Sequence, residues 1–113
     1  MVEAMILLDA SEPLPLNATF QTPADGSVIF VLSGTVWTQE APCLIGLNLF
    51  IDGQGIGNTA MCFANNNAVH MAMRTTFITF DNLSFGNHTI TILPYDNNTI
   101  TDQNDYYQVT MFY

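Results

Sequence analysis

Short apolar or alternating segments follow one another along this chain, and each is bounded by Gly, Pro, Asn or Asp. No segment of convincing length places its apolar residues at helical spacing. Residues 88–93 alternate strictly, so that Ile90 and Ile92 lie on one face of a strand and the intervening threonines on the other. Short runs bounded by turn residues are typical of an all-β sandwich.

The strongest predicted strand covers residues 27–37, in which positions 28–32 are continuously apolar. An unbroken apolar run predicts that both faces of the strand are covered, by the second sheet and by a neighbouring subunit. Asp52 and Gly53 are a strong two-residue turn signal, which predicts a hairpin between a strand at 44–51 and a return strand near 57–63.

The whole pattern predicts about eight to ten antiparallel strands, and this number suits a jelly-roll β-sandwich, which pairs two sheets to protect their edges. A length of 113 residues predicts a single domain over 1–113. Residues 1–16 are expected to form a short first strand and an extended arm, because Pro13 and Pro15 cannot donate to a sheet ladder.

Charge excludes two classes of partner. Arg74 is the only cation in the sequence, against ten carboxylates, and the formal net charge is -9. Nucleic-acid binding depends on basic residues that neutralise phosphates, and binding to an anionic membrane surface needs clusters of them. We therefore expect neither partner, and a hydroxyl-rich ligand or calcium suits the chain better than an anion.

The N-terminal sequence carries no basic segment, and its apolar run is too short for a signal peptide. No stretch approaches the roughly 20 apolar residues that span a bilayer. Three origins therefore stay open: a cytoplasmic protein, a component of a virion or phage particle, or a domain excised from a surface protein.

The order of the predicted elements resembles the trimeric jelly rolls of the tumour-necrosis-factor and complement globular-head superfamily, over roughly residues 18–113. The matching features are an aromatic, a proline and a glycine before the long apolar strand, a hairpin ending in Asp-Gly, a Gly-containing turn between two later strands, and an aromatic last strand: Phe20, Pro23, Gly26, 28–32, 44–53, 80–93 and 106–113.

This resemblance implies a compact homotrimer whose strands pack around a threefold axis. The sequence contains no collagen-like stalk and no membrane anchor. That departure argues against a signalling ligand and favours a microbial or viral member of the superfamily.

Polar loops after the predicted strands carry the candidate sugar-binding residues. Trp37 and Tyr95 are candidate platforms for a sugar ring, and Gln39 and Asn66 are candidate partners for its hydroxyl groups. The alternative for Trp37 is a place in the core or in an interface, where a tryptophan at the end of a strand is often found.

The loop at 96–105 carries the candidate metal ligands Asp96, Asp102 and Asp105. Calcium prefers carboxylate and amide oxygens, so the sequence makes calcium a possible cofactor. The spacing is not that of an EF-hand, and the alternative is a solvated loop whose Asp and Asn side chains cap its own turns.

The cysteines and histidines leave their roles open. Cys43 and Cys62 would lie directly opposite each other in a hairpin centred on Asp52 and Gly53, as a cross-strand disulfide or as two small buried thiols. His70 and His88 each precede a strand, where a histidine can bind a metal, act as a pH switch or make structural hydrogen bonds.

Catalysis has no sequence support, because no serine has a Gly-x-Ser-x-Gly context and neither cysteine lies near a histidine. We therefore expect a non-enzymatic recognition domain, a homotrimer that binds carbohydrate or a surface receptor. The alternative is a structural component of a capsid, spike or fibre tip, in which trimerisation is itself the function.

Overall fold

The computed structural model describes residues 2–56 and 60–113. Ten strands form in this part of the chain, so the predicted all-β class and number of strands are confirmed: β1 Ala4–Ala10, β2 Leu16–Thr22, β3 Gly26–Val36, β4 Cys43–Ile51, β5 Gln54–Gly55, β6 Ala60–Ala64, β7 Met71–Ala72, β8 Thr76–Leu83, β9 Gly86–Pro94 and β10 Tyr107–Phe112. None of the described residues belongs to a helix long and apolar enough to cross a membrane.

The strands form two antiparallel sheets packed as a sandwich. The first sheet has the order β1-β10-β3-β8, and β7 pairs with the end of β3 on the same side as β8. The second sheet has the order β2-β9-β4, and both β5 and β6 pair with the other side of β4. This order is that of a jelly roll, as the sequence predicted.

Alternate residues of the two sheets meet in one hydrophobic core. Phe30 and Leu32 of β3 are fully buried, and so are Ile90 and Ile92 of β9, in agreement with the strict alternation of that segment. Burying a large aliphatic or aromatic side chain contributes about 1.5–3 kcal/mol, so this core is the main source of stability.

The outer side of the first sheet carries a group of apolar residues that the rest of the described chain leaves exposed. The pairings align Ile6, Thr110, Val31 and Phe77 side by side across four strands. Phe77 is 71% exposed, Ile6 is 61% exposed and Ile29 is 41% exposed. We call Ile6, Ile29, Val31 and Phe77 the outer apolar face. Within the single chain, residues 28–32 alternate and the second sheet covers one face of the strand, while cover of the other face by a neighbouring subunit stays a prediction.

Asp52 and Gly53 form the predicted turn. Both have positive φ, 52° and 82°, as a type I′ hairpin turn requires. An unbroken hairpin from this turn would pair Cys43 with Cys62, but β6 is shifted by two positions, so that Cys62 pairs with Ile45. The direct opposition of the two cysteines is therefore wrong, and both are free thiols. Positions 57–59 of the predicted return strand lie outside the described residues.

Four connections gather at one end of the sandwich, which we call the loop end. They are residues 11–15, 37–42, 65–70 and 95–106. The opposite turn end holds the short connections 23–25 and 84–85 and the turn at Asp52. The polar loops that carry the candidate binding residues therefore share one end of a rigid scaffold, the usual arrangement for loops that bind.

Candidate functional site

His70, Asp102 and Asp105 converge at the loop end, and the ligand atoms that they offer lie within 4.8 Å of one another. His70 directly precedes β7, and the two aspartates lie in the connection that leads into β10. Strand β3 lies between β7 and β10 and pairs with both. Sheet pairing therefore brings together residues that are far apart in the sequence.

Asp105 is the buried anchor of this cluster, with an exposed fraction of 0%. Its carboxylate accepts three hydrogen bonds: from Thr35 Oγ1 at 2.8 Å, from His70 Nδ1 at 2.7 Å and from the Asp102 N–H at 2.8 Å. A buried carboxylate is costly unless it is satisfied in this way. Asp105 thus ties its own loop to β3 and to the residue before β7, and its oxygens are already engaged by these partners.

His70 presents its second nitrogen to solvent and to Asp102. Since a carboxylate only accepts, His70 Nδ1 donates to Asp105, and this bond sets the orientation of the ring. His70 Nε2 faces Asp102 Oδ2 at 3.7 Å, which is too long for a hydrogen bond. The two side chains are 36% and 37% exposed, so a ligand can reach both from solvent.

Trp37 lies against the same histidine. The ring centroids of Trp37 and His70 are 5.5 Å apart with an interplanar angle of 35°. The backbone of Trp37 exchanges hydrogen bonds with Ile100, at 3.0 and 2.8 Å, which fixes the tryptophan at the end of β3. Trp37 is half-buried rather than fully exposed, so only part of its side chain can contact a ligand.

Two buried polar atoms beside the cluster make no hydrogen bond. Trp37 Nε1 and Tyr107 Oη are the two buried side-chain polar atoms without a hydrogen bond in the part of the chain that the structure describes. Burial raises the pKa of Tyr107; an interaction with Thr101 opposes this, and the charges of Asp105 and Asp102 add to it. Tyr107 Oη has the Thr101 side chain within reach, whereas Trp37 Nε1 is a buried donor without an acceptor, which is rare in native proteins.

Gln39 and Asn66 are exposed at the loop end, as a hydroxyl-binding role would require. Their loops are linked, since the Ala68 N–H donates to the Thr38 carbonyl oxygen at 2.9 Å. The two amides therefore lie on adjoining loops, and their role in binding stays a prediction.

Tyr95 and Asp96 lie on the side of the second sheet. Tyr95 is 39% exposed, and its N–H donates to the Gly46 carbonyl oxygen at 2.8 Å. Asp96 Oδ1 accepts hydrogen bonds at 3.1 Å from the N–H groups of Asn98 and Thr99 and from the Thr99 hydroxyl. Asp96 therefore caps its own turn, and the structure groups Asp102 and Asp105 with His70 instead of with Asp96.

Sequence reasoning left a metal role open for His70 but did not connect it with the acidic loop. The connection depends on β7, a strand of two residues that pairs with β3 beside β10. A strand so short gives no alternation to detect, so the sequence carried no usable signal for it.

The other histidine has a structural role at the turn end. His88 is 8% exposed, with Nδ1 2.6 Å from Asp52 Oδ2 and Nε2 2.7 Å from the Ser84 carbonyl oxygen. Because both partners only accept, both ring nitrogens donate, and His88 is an imidazolium. Burial lowers the pKa of His88, but the bonds to Asp52 and Ser84 outweigh it and the net direction is upward. The same bond to His88 lowers the pKa of Asp52.

No protein-family model matches this chain, and neither does any curated protein. Solved structures share its fold. Dimeric latent PorU from Porphyromonas gingivalis matches with a TM-score of 0.67 and 11% identity over 97% of this chain and 12% of PorU, so the chain corresponds to a small part of that protein. A family 35 carbohydrate-binding module from Clostridium thermocellum matches with a TM-score of 0.52 and 11% identity, over 96% of this chain and 89% of the module.

The C-terminal domain of EclA, a sugar-binding protein, matches with a TM-score of 0.54 and 11% identity, over 98% of this chain and 78% of that domain. At such identities these likenesses show the fold alone. They agree with the jelly-roll sandwich that the pairings describe, and they do not show membership of the tumour-necrosis-factor superfamily.

Proposed function

We propose that this chain is a non-enzymatic carbohydrate-binding domain and that it binds sugar at its loop end. One observation carries the proposal: Trp37, His70 and Asp102 meet at a place that solvent reaches, and Trp37 Nε1 is a buried donor without an acceptor there. The fold also supports the proposal, because it is similar to that of a carbohydrate-binding module and of a sugar-binding domain over most of the length of each.

The chemistry of the loop end favours a neutral sugar. Hydroxyl groups can pair with the exposed amides of Gln39 and Asn66 and with the carboxylate of Asp102. Trp37 supplies a partly exposed aromatic side chain, and Tyr95 is a second aromatic on the adjacent side of the same end. The net charge of -9 disfavours an anionic sugar, because no cluster of basic residues is present to receive it.

An ion can assist this binding. Calcium was expected at Asp96, Asp102 and Asp105, but Asp96 caps its own turn and Asp105 is buried with its oxygens engaged. Of these three aspartates, Asp102 is the one that belongs to the cluster and also has a partly exposed carboxylate. A calcium-assisted mode would therefore use Asp102 together with oxygens of the sugar and of water.

Self-association is the second part of the proposal. The outer apolar face leaves Phe77 and Ile6 largely exposed, and its four residues are uncharged, although Asp9 and Asp81 lie beside it on the same side of the sheet. In a chain with a net charge of -9, an uncharged apolar face is where a second copy meets the least repulsion. A homotrimer through this face would present three loop ends and strengthen weak sugar binding by multivalency.

The same face supports an alternative function. If self-association alone is selected, the chain is a structural component of a capsid, spike or fibre tip. The observation that favours this alternative is the outer apolar face, and sugar binding separates the two functions, since a purely structural trimer binds no sugar saturably.

A glycan array followed by titration calorimetry on the positive glycans tests the sugar-binding proposal. The double variant Gln39→Ala/Asn66→Ala removes two exposed amides without touching the core, and we expect at least a tenfold loss of affinity. Trp37→Ala is expected to abolish binding. Phe85→Ala is the matched control, because Phe85 is an aromatic at the turn end that is 67% exposed.

If the double variant and Trp37→Ala both bind sugar as tightly as the unaltered chain does, the loop end is not the site. A loss of equal size in Phe85→Ala would place binding elsewhere or indicate a global effect. If the array shows no saturable binding to any glycan, the structural alternative takes the place of the proposed function. Repeating the titration with a chelator tells whether an ion takes part.

A further inference from the structure

We propose that His70 and Asp102 form a binding site for a divalent transition-metal ion such as Zn²⁺, with Asp105 as the residue that positions His70. This inference goes beyond the proposed sugar binding and does not depend on it, since the ion can be measured with no sugar present.

The first argument is the preparation of His70 as a ligand. The bond to the buried Asp105 places a proton on His70 Nδ1, so the neutral imidazole carries its lone pair on Nε2, the nitrogen that faces Asp102. Asp105 is itself held by Thr35 and by the N–H of Asp102. A carboxylate that orients a histidine through its other nitrogen is the usual support of a metal-binding imidazole.

The second argument is the separation of the two proposed ligands. His70 Nε2 and Asp102 Oδ2 are 3.7 Å apart, beyond hydrogen-bonding distance, so the two atoms are not bonded to each other and are spaced to bind one ion between them. With Zn–N and Zn–O distances of about 2.1 Å, this separation corresponds to an N–Zn–O angle of about 124°, roughly 14° wider than the tetrahedral angle.

The third argument concerns the choice of ion. Geometry alone also admits calcium, but calcium takes oxygen ligands, whereas imidazole suits zinc, copper and nickel. The net charge of -9 raises the local concentration of any cation. With two protein ligands the site stays open, and water completes the coordination of the ion.

An unpartnered donor beside the cluster is the independent sign of a ligand. Tyr107 is fully buried, and its hydroxyl lies where Thr101, Asp102 and Asp105 influence its pKa. Trp37 Nε1 is buried against the same end, and the Trp37 ring contacts His70. The Thr101 side chain is within reach of the Tyr107 hydroxyl, so Trp37 Nε1 is the donor that oxygens held around an ion at His70 and Asp102 would supply with an acceptor.

Trp37 makes the experiment direct. It is the only tryptophan in the sequence, and its ring centroid lies 5.5 Å from that of His70. Bound Ni²⁺ or Cu²⁺ quenches a fluorophore at such a distance, so titration of the full chain with Ni²⁺ at pH 7.5 reports occupancy of this site. We expect saturable quenching at one ion per chain, reversed by Zn²⁺ and not reversed by equal concentrations of Ca²⁺.

Variants assign the ligands. His70→Gln and Asp102→Asn should each weaken Ni²⁺ quenching at least tenfold, whereas Asp96→Asn and His88→Gln should leave it unchanged. Asp105→Asn should weaken it less, and circular dichroism must show that this variant is folded. Titration calorimetry with Zn²⁺ gives a second readout that does not need Trp37.

Quenching that survives His70→Gln would overturn the proposal, and so would the lack of saturable quenching in the unaltered chain. Reversal by Ca²⁺ as effective as reversal by Zn²⁺ would make the site a calcium site and would also overturn it. None of these outcomes bears on sugar binding, which is measured separately on the glycan array. If the unaltered chain binds no glycan but shows Ni²⁺ quenching, the proposed function is refuted and the metal site is not.

Discussion

The ion pair between the buried His88 and the half-exposed Asp52 should make this fold less stable as the pH rises above neutrality. The perturbation is Asp52→Asn, which keeps a residue that tolerates the positive φ of 52° and keeps an oxygen for the Thr89 N–H. It removes the negative charge that faces the imidazolium of His88 at 2.6 Å. The turn therefore stays, and the ion pair is lost.

The magnitude follows from the hydrogen bond between the two charged groups. A hydrogen bond to a charged group contributes about 1.5–3 kcal/mol, and the Asp52 side chain is 51% exposed, so we expect the low end after screening, about 1–2 kcal/mol. For a domain of this size, such a loss lowers the midpoint of thermal unfolding by about 4–8 °C.

The pH dependence has a definite sign. The pKa of His88 is raised above its ordinary value of 6.5, so its contribution is complete below that value and is lost as the pH rises through the folded pKa. The pKa of Asp52 is lowered below 3.8, so its contribution is present above that value and is lost as the pH falls through the folded pKa. The pair therefore stabilises the fold between these limits.

Urea unfolding at pH 5.5 and pH 8.5 tests this expectation. The unaltered chain should exceed Asp52→Asn by about 1–2 kcal/mol at pH 5.5, and the difference should shrink at pH 8.5. Asp25→Asn is the matched control, because Asp25 accepts the Phe85 N–H at 2.6 Å in another turn at the same end but faces no histidine. A difference of the same size at both pH values, or a pH-dependent difference in the control, would refute the reasoning.

Two further predictions follow from packing. Gly46→Ala should lower the free energy of unfolding by about 2–3 kcal/mol in urea titrations, because a Cβ at Gly46 would overlap the carbonyl oxygen of Ala60. Gly55→Ala is its control, since a Cβ there would make only ordinary contact, and equal losses would contradict the argument. Phe77→Asp should reduce the mass measured by light scattering without lowering stability, because Phe77 is 71% exposed in the single chain. A monomer at micromolar concentration in the unaltered chain would rule out the homotrimer.

Local physical chemistry was enough to predict the strands. Alternation placed Ile90 and Ile92 inside, and a residue pair that tolerates positive φ marked the turn at Asp52 and Gly53. These features depend on residues close together in the sequence, where side-chain period and backbone preference act directly. The polar loops were recognisable for the same reason, and the order of strands then placed them at one end of the sandwich.

Register and long-range pairing were decided by the tertiary structure. The register shift of β6 moves Cys62 away from the position opposite Cys43, and the turn residues Asp52 and Gly53 do not predict this shift. The sequence did not predict the cluster for the same reason, because His70 and Asp105 come together only where β7 and β10 both pair with β3. Which carboxylate faces solvent and which one is buried beneath a histidine depends on contacts between segments far apart in the sequence. The sequence alone therefore determined which residues were available to bind, and the sheet order decided which of them meet.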